Sequence, residues 1–183
     1  MKFFDLKSFY ILTDIKEHQQ NKNKLLSLIN EMQLSSINNR NDVISKTDWN
    51  LPKETKREYI NFFYKMVTPY MDSMAIKLKC KSWDISNAWY QVYKEQDTHD
   101  WHIHENNNYT NVYYVDLPEE NIKTQLYDVK DNKVIDEIQL KEGQLFTFPA
   151  HIIHRSPINT SNKIKTIISF NSNFKRVFLK QSI

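Results

Sequence analysis

The chain predicts a mainly β fold with helices gathered at its N-terminal end (α+β), and three observations predict it. Apolar residues recur at helical steps only within the first eighty residues. From Trp83 onward the period changes to two, and short strand-like runs follow one another with turn residues between them. The 183 residues are 40% hydrophobic and 13% aromatic, enough to build a sizeable core. Seven or so short strands with no helix pattern between them imply an antiparallel sandwich or barrel. The expected organisation is one domain over 1–183, with a helical support region at 1–80 and a β core at 81–183.

In chain order, Thr13 and Asp14 are good N-caps for a helix running toward Met32, with Leu25, Leu28, Ile29 and Met32 on one face. Residues 33–50 are polar, rich in Asn and Ser, and read as a loop placed to serve as a lid. Pro52 suits the first turn of a second helix. There Tyr59, Phe63, Met66, Tyr70 and Met74 recur at steps of three and four and read as a core-facing stripe. Pro69 inside it should kink or divide it. Next, Trp83, Ile85, Trp89, Gln91 and Tyr93 alternate with Asp84, Ser86, Tyr90 and Val92. Further strand-like runs lie at 101–104, 110–115, 123–127, 134–140, 144–148 and 165–171. The single glycine, Gly143, opens the run that ends at Pro149, where a tight turn tolerates only glycine.

Composition excludes several classes. The net charge is +3 with Lys spread along the chain, so no basic block marks a nucleic-acid groove. Cys80 is the one cysteine, which rules out a disulfide framework and implies a reducing, cytoplasmic setting. It also lacks a neighbouring histidine, so nucleophilic catalysis is not expected. An acid and a base within the first seven residues interrupt any signal-peptide run, and no apolar stretch is long enough to span a bilayer. One glycine cannot form a Gly-rich phosphate loop.

Five of six histidines fall in two short runs, His99-Asp-Trp-His102-Ile-His104 and His151-Ile-Ile-His154. Residues two apart on a strand point the same way, so His102 and His104 project together, with Ile103 on the other side. A distant strand must supply a third ligand, and His154 is the donor expected. Three protein ligands leave positions open on a metal, which marks a catalytic site. His18 reads as a surface residue of the first helix and His151 as a rim residue. Trp89, Trp101 and Phe146 read as core and rim. Glu105 points away from His104, and Asp128 would contribute only if its strand crosses nearby.

These residues resemble the iron(II)- and 2-oxoglutarate-dependent oxygenases, in particular a prolyl-hydroxylase-like group common in phages and marine bacteria. Tyr93, His99, His102 and His104 follow the spacing of the first half of that pattern. The run from Glu142 through Phe148-Pro149 to His154 resembles the strand and turn that deliver the distal iron histidine. Lys165-Thr-Ile-Ile-Ser-Phe-Asn171 and Val112-Tyr-Tyr-Val also match. The resemblance covers about the last hundred residues. It implies a double-stranded β-helix (jelly-roll, cupin-like) core and a hydroxylase that uses Fe(II), 2-oxoglutarate and O2. It implies His102 and His154 as iron ligands and His104 in the slot of the usual carboxylate. It implies Lys165 on the far carboxylate of 2-oxoglutarate, with His99, Tyr93 and Tyr114 lining the cosubstrate pocket. Two departures stand out. His104 replaces a carboxylate, which leaves the bound metal one unit more positive. Lys165 replaces arginine, exchanging a two-pronged grip for a point charge. The rival readings are a cupin-type metal enzyme without 2-oxoglutarate, which leaves Lys165 unexplained, and a metal- or carbohydrate-binding module without turnover. No sequence feature reads out the prime substrate.

Overall fold

The structure, a computed structural model, describes residues 7–35, 45–52, 54–119, 122–135 and 137–176. Two antiparallel sheets pack face to face in an unclosed jelly roll, and the helices cover the outer face of the larger one. The larger sheet has the order β1-β8-β5-β10-β3-β2, and the smaller has β4-β9-β6-β7. The large sheet comprises β1 (Ile11–Asp14), β2 (Lys46–Thr47), β3 (Ser82–Tyr93), β5 (Tyr109–Asp116), β8 (Gln144–Pro149) and β10 (Lys165–Lys175). The small sheet comprises β4 (His99–His102), β6 (Gln125–Asp128), β7 (Lys133–Ile135) and β9 (His154–Ser156). The helices are α1 (His18–Ser35) and α2 (Glu58–Lys77).

Period-two alternation sorts the large sheet's side chains into two cores. Tyr90, Val92, Tyr113, Val115, Leu145, Ile168 and Phe170 face the helices, where Leu25, Ile29, Phe63, Val67 and Met71 meet them. Tyr93, Val112, Tyr114, Phe146, Phe148 and Ile167 face the small sheet and pack on Leu126 and Ile138. The second face carries the site. Along β10 it presents Lys165, Ile167, Ser169 and Asn171, registered against Tyr93, Gln91, Trp89 and Asn87 of β3.

The alternation predicted from Trp83 is broken. Asn171 pairs with Asn87 but Ser172 pairs with Ile85, so Ser86 is an extra residue in β3. This bulge reverses the faces on either side of it. Trp83 and Ile85 therefore pack on the helix side, while Trp89, Gln91 and Tyr93 turn to the site.

Other boundaries also differ. Thr13 and Asp14 do not cap a helix: they lie in β1, paired with Leu145 and Gln144, and α1 begins at His18. Sheet pairing outweighs the local capping preference there. Pro52 starts no helix. It sits in a loop closed by Asp48, which is fully buried, accepts from Arg57 Nε at 2.9 Å and Tyr59 Oη at 2.6 Å, and takes Tyr90 N–H at 3.0 Å. Pro69 does not divide α2. It lies on the exposed face of the helix, next to Thr68, whose Oγ1 donates to Tyr64 O at 2.7 Å. The buried row of α2 is Tyr59, Phe63, Val67 and Met71, whereas Met66 and Tyr70 only flank it. The strand expected over 134–140 stops at Ile135, although Ile138 and Leu140 are still buried. Of the expected lid over 33–50, residues 36–44 lie outside the described residues. Its last part is β2, paired with Gln91 and Val92, and the Asp48 loop.

His18 is not a surface residue. It is 4% exposed; its Nδ1 meets Tyr113 Oη at 2.7 Å and its Nε2 meets Glu142 Oε1 at 3.1 Å. Burial alone would raise the Glu142 carboxyl, but Lys22, His18 and the Leu117 N–H hold it down at about 2. Gly143 faces this ring with φ +81°, and a Cβ there would lie 2.8 Å from His18 Cγ. The sequence's turn argument is met, and close approach reinforces it. Gly143→Ala combines left-handed strain with that clash and is expected to cost about 2–4 kcal/mol, read as a lower denaturation midpoint without change in slope.

Candidate metal centre

Register brings the histidines together. His102 and His154 face each other directly across the β4–β9 pair, with Leu126 of β6 on the other side of His154. His104 lies just past β4, where its N–H donates to Ala150 O at 3.0 Å. The Pro149–Ile152 turn, closed by Ile152 N–H on Pro149 O, swings the chain from β8 into β9 and delivers His154. The ligand atoms of His102, His104 and His154 all lie within 4.8 Å of one another.

The hydrogen bonds set the tautomers. His102 Nδ1 donates to Asp100 O at 2.6 Å, His154 Nδ1 to Ile152 O at 2.9 Å, and His104 Nδ1 to Asn171 Oδ1 at 2.5 Å. Each Nε2 is left with its lone pair, the form a metal requires. Burial is the leading cause that lowers all three below the usual imidazole value, so they are neutral near pH 7. The donor set therefore fits a divalent transition metal. Neither Glu105 nor Asp128 joins it: Glu105 is exposed, and Asp128 caps a turn by accepting Lys130 N–H at 2.9 Å. Because the folded state refuses protons that unfolded histidines accept below about pH 6.5, the metal-free protein should lose stability as pH falls through that range. Thermal midpoints between pH 7.5 and 5.5 check this.

His99 stacks on His102 at 4.0 Å between ring centroids, and its Nδ1 faces Gln91 Nε2 at 3.1 Å. Burial first, then the neighbouring histidines, depress it to about 4, and the Lys165 charge contributes. Lys165 opens β10 and is 1% exposed. Its Nζ donates to Ile122 O at 2.7 Å and to Ser156 Oγ, and lies 4.0 Å above the Tyr93 ring. No carboxylate pairs with it among the described residues, and burial depresses it to about 7. Ser156 is the residue opposite His99 and two beyond His154, so the ammonium sits one side chain from the histidines. Tyr93 thus forms the floor under Lys165. Tyr114 is buried on the same core, with its Oη donating to Thr124 Oγ1 at 2.8 Å and accepting Thr124 N–H. His151 is exposed at the turn.

Between these groups lies a small cavity of about 20 Å³ whose walls include the four histidines, Gln91, Thr110, Thr124 and Ser156. Thr110 Oγ1 is buried on its wall without a hydrogen-bond partner among the described residues. Outside the histidines an open groove of about 1040 Å³ carries Trp49, Trp89, Lys46, Lys94, Asn87 and Asn107. Sequence reasoning missed Gln91, Ser156, Thr110 and Asn171 as site residues. Counting by twos from Lys165 reaches Ser169 and Asn171, a signal that was available.

The sequence profile of the family described as "Putative 2OG-Fe(II) oxygenase" matches residues 87–171. No curated protein sequence matches the chain. Among solved structures, the viral collagen prolyl hydroxylase of Paramecium bursaria Chlorella virus-1, in its 2-oxoglutarate complex, is similar at 16% identity and TM-score 0.58, over 92% of this chain and 97% of that one. A Trichoplax adhaerens prolyl hydroxylase bound to a hypoxia-inducible-factor peptide aligns at 14% identity and TM-score 0.61, over 88% and 82%. The α-ketoglutarate-dependent epimerase SnoN of nogalamycin biosynthesis aligns at 9% identity and TM-score 0.67, over 96% and 86%. These likenesses show a shared fold. No helix among the described residues is long and apolar enough to cross a membrane. The chain thus resembles the 2OG-Fe(II) oxygenases in the sequence of its site-bearing part and in fold over nearly its whole length, a family that implies Fe(II), 2-oxoglutarate and O2 as metal, cosubstrate and oxidant.

Proposed function

We propose that the protein is an iron(II)- and 2-oxoglutarate-dependent dioxygenase that hydroxylates its prime substrate, with His102, His104 and His154 as the metal ligands. When bound, Fe(II) with 2-oxoglutarate and O2 supplies the oxidising power for C–H hydroxylation, the cosubstrate leaving as succinate and carbon dioxide. The observation that carries this reading is Lys165, a buried lysine with no acid beside it among the described residues, one side chain from three neutral imidazoles. A buried cation in that state invites an anion. A dicarboxylate chelating the metal at one end has its second carboxylate to offer there.

The residues then divide the work. The triad would hold the metal through Nε2. Lys165, which now donates to Ser156 Oγ and Ile122 O above the Tyr93 ring, would hold the far carboxylate. His99 and Thr110 stand where the cosubstrate's chain must pass, and Tyr114 with Thr124 shapes the inner wall. A space of about 20 Å³ holds little more than one water, so these side chains must part to admit the cosubstrate. The prime substrate approaches through the groove beside Trp49 and Trp89. Two of the similar structures are described as prolyl hydroxylases, which makes peptidyl substrates the first class to screen. The cupin-type alternative gives Lys165 no task.

The test is anaerobic titration of Fe(II)-loaded protein with 2-oxoglutarate. The expected result is a weak visible charge-transfer band that saturates, with succinate released once O2 is admitted. A metal-loaded protein that shows no band at saturating 2-oxoglutarate would overturn the reading.

A further inference from the structure

The three imidazoles of the centre do not find their Nδ1 acceptors in the same way. His102 and His154 each use the backbone carbonyl two residues upstream, Asp100 O and Ile152 O. Those acceptors come with the strand and need no particular side chain. His104 instead reaches 67 residues along the chain to a side-chain oxygen, Asn171 Oδ1 at 2.5 Å. Asn171 is 2% exposed and lies on the site-facing row of β10, which also carries Lys165.

We infer that Asn171 is a positioning residue of the metal centre: it fixes the tautomer and orientation of His104 and sets its strength as a ligand. This rests on the triad reading above. Two features around Asn171 serve this one contact. The extra residue Ser86 falls in the β3–β10 pairing at the Asn171/Ser172 step, and its Oγ donates to Asn107 Oδ1 at 2.6 Å and toward Asn171 O at 3.4 Å. A bulge bends a strand pair and re-aims the side chains beside it. On the other flank, Asn111 Nδ2 donates to Phe170 O at 3.1 Å and to Ser172 Oγ at 2.9 Å, while Thr147 Oγ1 donates to Asn111 Oδ1 at 2.7 Å. A buried, satisfied polar network of this kind rigidifies the backbone it grips. Asn171 is therefore held from both sides.

The chemistry explains why a distant acceptor belongs at this ligand. With no carboxylate among the three donors, ligand basicity can be raised only one bond further out. An acceptor on Nδ1–H does this, and such partners are typically worth about 10–100-fold in metal affinity. An amide oxygen is a weaker acceptor than a carboxylate, so the position also sets how strongly His104 donates.

The probe is Co(II), titrated into metal-free protein at pH 7.5 by calorimetry and by its visible d–d bands, for wild type, Asn171→Ala, Asn171→Asp and His104→Ala. Asn171→Ala should bind Co(II) about 10–100-fold more weakly than wild type, with altered band positions. Asn171→Asp should recover wild-type affinity or exceed it. In the His104→Ala background Asn171→Ala should have no further effect, which a merely structural role would not predict. Asn171→Ala affinity within twofold of wild type overturns the inference while leaving the triad intact. So does Asn171→Asp binding as weakly as Asn171→Ala. Wild type that fails to bind Co(II) overturns the triad reading itself.

Discussion

Lys165→Met is expected to make the protein more stable and to weaken 2-oxoglutarate binding about 100-fold or more. The two effects have one cause. Burial depresses the Lys165 ammonium to about 7, against an unfolded value near 10.5. Between those values the unfolded chain holds a proton that the folded chain gives up, so wild-type stability rises with pH from about 7 toward 10.5, by up to roughly 1.4 kcal/mol per pH unit. Below pH 7 the folded protein carries a buried charge answered, among the described residues, by Ser156 Oγ, Ile122 O and the Tyr93 ring. Methionine keeps most of the side-chain volume and removes that charge, so the midpoint should rise and its pH dependence above 7 should flatten. The same variant loses the buried cation that would receive the far carboxylate. 2-Oxoglutarate affinity should fall about 100-fold or more, given about 1.5–3 kcal/mol for each charge-assisted bond lost. In the wild type, affinity should weaken as pH rises past about 7, because only the protonated lysine grips a carboxylate. Titrating the charge-transfer band at several pH values, together with thermal midpoints, reads both halves. A variant that is less stable than wild type, or that still shows the band at wild-type concentrations, would contradict this account.

What could be read in the sequence follows from how local the cause was. The histidine pair at i and i+2 is a local fact, and it suggested the shared direction of His102 and His104, although β4 ends at His102 and His104 is held just beyond it by its N–H on Ala150 O. The convergence of His154 on that pair was legible because a strand ending in Phe148-Pro149 leads straight into the turn before it. The misread parts depend on distant partners. Thr13 and Asp14 have capping chemistry, but β8 offered them a sheet edge. His18 has the sequence surroundings of a polar helix face, and only the arrival of Gly143 and Tyr113 from across the fold buries it. The bulge at Ser86 carries no glycine or proline to announce it, yet it decides which tryptophans face the site. Asn171 belongs to the same class: its role is set by a bond spanning 67 residues.

The remaining large effect concerns charge at the metal. Three neutral imidazoles place no carboxylate among the ligands of a divalent ion, and the charged side chains that act on this group of rings are Asp100 and Lys165. The dianionic cosubstrate is then the main source of neutralisation, so metal and 2-oxoglutarate should bind in strong mutual cooperation, each raising the other's affinity by the same factor. His104→Asp tests this at its source. An aspartate at this position keeps the backbone placement that the bond to Ala150 O gives His104 and supplies the carboxylate usual for non-haem iron(II) sites. Its affinity for Fe(II) or Mn(II) alone should exceed that of wild type by about tenfold or more, since a carboxylate next to a divalent ion in a partly buried site contributes well over 1.4 kcal/mol. At the same time the enhancement of metal binding by 2-oxoglutarate should shrink. His154→Ala, by contrast, removes a ligand without supplying any charge, and should lower metal affinity at least 100-fold with or without 2-oxoglutarate. Calorimetric Mn(II) titrations of the three proteins, each with and without the cosubstrate, give all the affinities needed. If wild type binds Mn(II) equally well in both conditions, the neutralisation argument fails, whatever the variants do.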